Sequence, residues 1–190
     1  MDRGTVVVGV LLASVSLAFT GREDMREDLS RVPRIIAFDR MYGVDGPFIG
    51  DVNPIRGIVG DEAPWVIAGS VHGTLDVNGL LHLRVRGLVF GNDPRTPPGE
   101  IGKNDEPTFR GTVSCLTEES ETAVGTTNVT TVGFPATVTG NSDIDATLVL
   151  PNPCVAPIVF ILAGSEDKWF AVTGVETEPA QERRSPDLRH

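Results

Sequence analysis

Two cysteines, Cys115 and Cys154, are the only ones in the chain, and each sits at a run of strand character. The runs are Gly111-Thr112-Val113-Ser114-Cys115-Leu116-Thr117 and Leu148-Val149-Leu150-Pro151-Asn152-Pro153-Cys154. An apolar leader precedes them. After Met1-Asp2-Arg3-Gly4 comes the uncharged run Thr5–Thr20. That run is shorter than the ~20 residues of a membrane span and suits the apolar region of a signal peptide. Ser16 and Ala18 permit cleavage after Ala18, and Ala18 and Thr20 offer a second position. An uncleaved anchor or a hydrophobic first strand is the competing reading of the run. Export places the cysteines in an oxidising compartment, either periplasm and cell envelope or medium, where a disulfide persists. Closing a loop of about 40 residues stabilises a fold by ~4 kcal/mol in the chain-entropy model. Two buried free thiols are the alternative. A metal site at the pair lacks any Cys-x-x-Cys spacing or nearby histidine.

The organisation follows from composition. Residues 1–18 read as the leader and 19–33 as a charged linker containing Arg22-Glu23-Asp24-Met25-Arg26-Glu27-Asp28. Residues 34–175 read as one domain. Residues 176–190 read as a disordered tail, rich in charge and poor in apolar side chains. Within the domain, strand signals recur at short intervals: Arg34–Arg40, Val66–Val77, Leu80–Phe90, Phe109–Thr117, Thr126–Val132, Ala136–Thr139, Ile144–Leu150, Ile158–Ala163 and Trp169–Thr173. No stretch carries a helical period. With 21 glycines and 14 prolines to make turns, the pattern predicts a single antiparallel β-sandwich of about eight strands. Gly91–Thr108 is the longest irregular segment, either a functional loop or a mobile insertion.

The hairpin at Asn78-Gly79 can be read residue by residue. A two-residue loop pairs Leu75 with His82 and mixes apolar with charged residues on one face. A three-residue loop, Val77-Asn78-Gly79, instead sets Leu75 against Leu81, Gly73 against Leu83 and Val71 against Val85. It also puts Gly79 at the left-handed position of a turn with a bulge. Face parity selects the second, since a one-residue slip inverts every side chain.

Several phrases carry a resemblance. They are Asn53-Pro54-Ile55-Arg56-Gly57-Ile58, Pro64-Trp65-Val66-Ile67, Val113-Ser114-Cys115-Leu116-Thr117, Phe134-Pro135-Ala136-Thr137, Leu150-Pro151-Asn152-Pro153-Cys154-Val155-Ala156-Pro157-Ile158-Val159-Phe160 and Trp169-Phe170-Ala171-Val172-Thr173-Gly174. Over about 38–174 the chain resembles a family of small exported bacterial β proteins with no assigned function. The resemblance implies a secreted β domain with its two cysteines bonded, and it brings no catalytic residue. The hairpin ending in Arg86-Gly87-Leu88 is also similar to CHRD-type extracellular β domains.

The chemistry that the sequence offers is sparse. A net charge of −10 and a pI of about 4.7 disfavour nucleic acid and anionic membrane surfaces. No phosphate-binding loop or dinucleotide fingerprint calls for a cofactor, and no Gly-x-Ser-x-Gly elbow marks a hydrolase. The catalytic residues of any activity are therefore unassigned. His72 and His82 are diagonal neighbours on the outward face of the hairpin, with Asp76 beside them. Such a set can hold a zinc or copper ion, although Arg84 and Arg86 on the same face repel a cation. Asp61-Glu62, Asp105-Glu106 and Asp143/Asp145 are carboxylate pairs of the kind glycoside hydrolysis uses, and equally of the kind an acidic chain carries by chance. Asp51, Asp61, Asn92, Asp93, Asn104 and Asp105 lie in loops that suit either weak calcium binding or solvated turns. Trp65 and Trp169 open strands, as core residues or as aromatic anchors of a binding surface. Asn128-Val129-Thr130 fits the glycosylation pattern, which matters only in a host with that machinery. The leading expectation is a non-enzymatic binding or structural module with an envelope or extracellular partner and no lasting membrane insertion. A small secreted hydrolase with an acidic site, in Gly91–Thr108 or beside the hairpin, and a metal-binding protein using His72 and His82 are the alternatives.

Overall fold

The computed structural model describes residues 32–177. The leader, the linker up to residue 31 and the tail from residue 178 lie outside the described residues. Eleven strands follow in order: β1 (Arg34–Phe38), β2 (Met41–Gly43), β3 (Val59–Gly60), β4 (Trp65–Asp76), β5 (Leu80–Phe90), β6 (Thr108–Ser120), β7 (Ala123–Thr130), β8 (Phe134–Pro135), β9 (Ser142–Thr147), β10 (Val155–Ala163) and β11 (Lys168–Thr173). The only helical element among the described residues is a 3-10 turn at Gly46–Phe48. The strands form two sheets. One has four strands in the order β1-β4-β5-β9. The other has seven, β2-β11-β10-β6-β7 with β3 beside β11 and β8 beside β6. All pairings are antiparallel except that of β3 with β11.

The all-β sandwich agrees with the sequence pattern, but eleven strands replace the eight expected. The additions β2, β3 and β8 are two or three residues long, too short to show alternation. Ala136–Thr139, expected as a strand, carries none: the pairing stops at Pro135, and Val138 and Thr139 form a turn. The irregular segment expected over Gly91–Thr108 holds to Pro107 and ends one residue early, because Thr108 opens β6 and pairs with Pro135.

The hairpin register is the one that face parity selects. Leu75 opposes Leu81, Gly73 opposes Leu83 and Val71 opposes Val85. Gly79 has φ +81°, and the Asp76 carboxylate accepts from the main-chain N–H groups of Asn78 and Leu80 at 2.8 and 2.9 Å. The inward residues Val71, Leu75, Leu81, Leu83 and Val85 are buried, while His72, His82 and Arg84 are exposed.

The sheets meet through their inward rows. Trp65 of β4 stacks on Phe170 of β11, with ring centroids 3.8 Å apart and planes 14° from parallel. Phe90 and Phe109 close around the same indole. Gly111 of β6 lies so close to Leu81 that a Cβ there would sit 2.9 Å from its Cδ2. Odd-numbered residues of this part of β6 therefore face the smaller sheet. Gly111 pairs with Ile161, so Phe160 and Ile158 face the other way. There the segment after β2 covers them: Val44 and Ile58 are buried, and Phe48 packs at 6.2 Å from Trp169, which packs in turn at 6.2 Å from Phe160. The larger sheet is thus buried on both faces, and both tryptophans lie in the core, 1% and 0% exposed.

Cys115 and Cys154 are bonded, with Cα atoms 4.9 Å apart and a sequence separation of 39. The bond ties β6 to the segment entering β10. Replacing both cysteines by alanine is expected to lower unfolding stability by ~4 kcal/mol, measured by urea denaturation of the two proteins side by side. Gly79→Ala is expected to cost about 2 kcal/mol by the same measurement. Its positive φ disfavours a side chain, and the added Cβ would meet the Leu148 carbonyl oxygen at 2.0 Å.

Candidate functional site

The outer face of the four-stranded sheet is a polar lattice laid out by register. Thr74, His82 and Asp145 stand in one row across β4, β5 and β9. His72, Arg84 and Asp143 stand in the next. Their side chains alternate with the inward row, so the strands that build the core also present these groups to solvent. Together with Asp39 they line an open groove of about 740 Å³. Gly73 and Phe38 line it at the β1 end, and on the core side of Gly73 the Phe38 ring fills the space a Cβ would need (2.1 Å to Cζ).

Charges across this face are paired. His82 Nδ1 meets the Asp145 carboxylate. Arg86 Nη2 donates to both oxygens of Asp143 at 2.8 and 3.0 Å, and Arg84 Nε donates to Oδ1 at 3.3 Å. Hydrogen bonding from Arg86, with Arg84 adding to it, holds the Asp143 carboxyl below the usual carboxylate range. Arg86 also donates to the carbonyls of Val85 and Ser142, which fixes its guanidinium against the β5–β9 seam. Arg84 differs. Its side chain lines the groove, is 68% exposed and, among the described residues, is engaged only through Nε, which leaves its terminal nitrogens free.

The sequence candidates separate here. His72 and His82 share the groove, but Asp76 does not join them as a third ligand; its carboxylate oxygen caps the hairpin turn. Asp143 and Asp145 are near neighbours on one strand, each engaged by a cationic or imidazole partner rather than facing each other across a cleft. Trp65 and Trp169 are packed inside and offer no exposed ring.

In Gly91–Thr108 the acids and amides hold the loop itself. Asp93 accepts from Arg95 Nε at 2.8 Å, and those hydrogen bonds bring its pKa down to about 2. Asn104 is buried; its amide donates to the carbonyls of Glu106 and Thr137 at 2.7 and 2.9 Å. Burial, with Glu106 next to it, pushes the Asp105 carboxyl up. Asp51 lies exposed in the turn region before Asn53.

A second cluster gathers beside Trp65. Among the described residues, Asp61, Glu62 and Glu166 are the trio of possible metal ligands whose oxygens lie within 4.8 Å of one another. Lys168 already occupies it, bonded to Glu62 and, at 2.7 Å, to Glu166. Burial pulls the Lys168 ammonium pKa down, but hydrogen bonds to Glu166 and Glu62 outweigh this and raise it. Asp61 Oδ2 accepts from Trp65 Nε1 at 2.7 Å. Burial pushes the Asp61 carboxyl up, while hydrogen bonding from Lys168 holds Glu62 down. Divergent carboxyls can mark an acid–base pair. Here the raised member is 8% exposed, lies outside the sheet-face groove, and is spent on the indole of a core tryptophan.

The chain matches no protein-family model, no curated protein and no solved structure. Its function is therefore argued from its own residues.

The Asp61 site has a definite pH signature. A carboxyl raised in the fold contributes stability that is full below its ordinary unfolded pKa and lost as pH rises through the folded value. Glu62, lowered in the fold, works oppositely: its contribution is present at neutral pH and is lost as pH falls through the folded value. Asp61→Asn keeps an acceptor for Trp65 and removes the first dependence, along with the part of the Glu62 lowering that comes from its hydrogen bond with Asp61. Its stability relative to the parent is expected to grow as pH rises above about 4, followed by denaturant unfolding at several pH values. Asp61→Leu is expected to cost about 1–3 kcal/mol, because the buried Trp65 N–H loses its acceptor.

Proposed function

We propose that the chain is an exported binding module, without catalytic activity, whose recognition surface is the groove on the outer face of the four-stranded sheet. The observation that carries this reading is the groove's chemistry. It is built on rigid paired strands, its charged groups are engaged across strands, and one guanidinium, Arg84, keeps its terminal donors free among the described residues. A site held by scaffold strands and crossed by neighbouring donors and acceptors suits recognition of a polar ligand. The free end of Arg84 suits an anionic group on that ligand, since a planar fork pairs well with a carboxylate or phosphate. The Cys115–Cys154 bond supports life in an oxidising compartment such as the periplasm, envelope or medium.

The hydrolase reading draws less support. Asp143 is kept ionised by two arginines, which suits an acceptor and not a general acid. The carboxyl whose proton affinity is raised most directly by burial, Asp61, sits under Trp65. The metal reading retains the pair His72 and His82 but has Arg84 opposite His72 in the same row.

Native mass spectrometry of the protein recovered from its host's culture medium tests the proposal. The expected species lacks the leader and two hydrogens and carries a small polar ligand. The variant His82→Ala/Arg84→Ala, recovered the same way, is expected to be free of that ligand. A turnover found by broad activity profiling and abolished by a single side-chain change would overturn the non-enzymatic reading. Metal retained by the parent and lost in His72→Ala/His82→Ala would replace it with metal binding.

A further inference from the structure

Strand β7 ends the seven-stranded sheet, with β6 on one side and no strand on the other among the described residues. Its main-chain orientation can be fixed. Thr131 N donates to the Gly111 carbonyl at 2.9 Å, and Gly111 N donates to Thr131 Oγ1 at 3.0 Å, so residue 131 turns its main chain toward β6. The register runs unbroken from Thr130 opposite Thr112 to Val124 opposite Glu118. Antiparallel alternation then turns Gly125, Thr127 and Val129 toward β6, and turns Val124, Thr126, Asn128 and Thr130 outward. The N–H and C=O groups of these four residues find no hydrogen-bond partner among the described residues, and all four residues are exposed.

Other edges are blunted. β2 is three residues long, β1 carries a register shift, and β9 bears Asp143 and Asp145. β7 has eight residues, Ala123–Thr130, with no charge, no proline and four β-branched threonines and valines in its last five positions. An edge of this kind is a template for another strand.

We infer that β7 pairs with β7 of a second copy of this chain, antiparallel, about a two-fold axis at Thr127. This register sets Val124 against Thr130 and Thr126 against Asn128 of the other copy, and the reverse. Every outward N–H and C=O of the four residues then gains a partner, and the contact is closed and self-complementary. Parity forbids a one-residue slip, which would place outward groups against inward ones.

Two further features favour the same arrangement. Val124 and Val132 are 71% and 76% exposed. In this register Val132 of one copy, two residues past the end of β7, comes beside Val124 of the other, twice by symmetry, which gathers exposed valines at both ends of the paired strands. The acidic end of the β6–β7 hairpin, with Glu118, Glu119 and Glu121, falls at opposite ends of the paired strands. A parallel pairing in register would instead set each of these acids against its own copy. On a chain of net charge −10 that difference selects the antiparallel form.

Sedimentation of the full oxidised chain over micromolar to near-millimolar concentration tests the inference. The expected result is a monomer–dimer equilibrium with no larger species. Thr126→Pro removes one outward N–H and leaves the β6 ladder whole, since proline is tolerated where the N–H faces away from the sheet. It is expected to raise the dimer dissociation constant at least ~10-fold with an unchanged thermal transition. Val124→Lys gives the same shift and serves where the proline variant fails to fold. Val149→Lys, at an exposed valine elsewhere, leaves the dimer intact. A mixture of Thr126→Cys and Asn128→Cys chains is expected to cross-link as a heterodimer. A monomer at every concentration, a dimer indifferent to both β7 variants, or open-ended association would overturn the inference.

Discussion

The contact on which the fold turns is the stack of Trp65 on Phe170. It joins the first residue of β4 to the middle of β11, and so locks one sheet onto the other at 3.8 Å between ring centroids. Offset aromatic pairs add to the area they bury, by about 0.5–1.5 kcal/mol. The consequences spread outward from the indole. Its N–H needs a buried acceptor, which Asp61 supplies, and Asp61 in turn draws the loop before β4 against the turn after β10, where Lys168 binds Glu62 and Glu166. The main chain at Trp65 also leaves no room at Gly43, where a Cβ would come 2.0 Å from the Trp65 carbonyl oxygen. A small residue in β2 is what lets the segment 44–58 cross to the far face of the larger sheet.

That crossing decides where function can lie. One face of the larger sheet is the sandwich interior, and the other is covered by Val44, Phe48 and Ile58 over Phe160 and Trp169. Arg56, in the turn between Ile55 and Ile58, extends the cover: its Nη2 donates to the Ala156 carbonyl at 2.9 Å and its own carbonyl accepts from Asn128 Nδ2 at 3.0 Å. The smaller sheet has no such layer among the described residues. Its outer face stays open, with its cross-paired charged rows exposed to solvent.

How much of this could be read from the chain depends on distance along it. The β4–β5 hairpin was legible from Val71 to Val85, though not its register shift between Ile67 and Ser70, because two alternating strands and one glycine share a three-residue loop and only one register keeps Leu75, Gly73 and Val71 on the side of Leu81, Leu83 and Val85. The outward placement of His72 and His82 came with it. Asp143 and Asp145 were legible as a carboxylate pair, but the expected strand Ile144–Leu150 left Asp143 outside it, and their partners were not legible: Arg84 lies 59 residues from Asp143 and His82 lies 63 from Asp145. That pairing is set by how β9 docks on β5, which no local pattern encodes. Strands β2, β3 and β8 were invisible because so few residues show no period, and they exist through neighbours already in place. The two tryptophans were ambiguous for a related reason. Strand position tells which face a residue takes, and the covering of the second face by residues 44–58 is what turned Trp169 from a possible surface anchor into core.

Charge follows the same division. Across the open face, basic and acidic side chains alternate by register: Arg34 opposite Asp76, Arg84 opposite Asp143, His82 opposite Asp145. This face is close to balanced on a chain whose net charge is −10, so the excess acid lies elsewhere, notably at Glu118, Glu119 and Glu121 on the hairpin beyond the disulfide. A balanced face imposes little long-range repulsion on an approaching anionic or neutral group, while the acidic tip repels both anions and copies of itself. Under the two proposals above, contacts fall on the open sheet face and on the neutral edge of β7, away from that acidic tip. The fold thus keeps its two unburied surfaces distinct in chemistry: side chains are offered on one, and main-chain hydrogen bonds on the other.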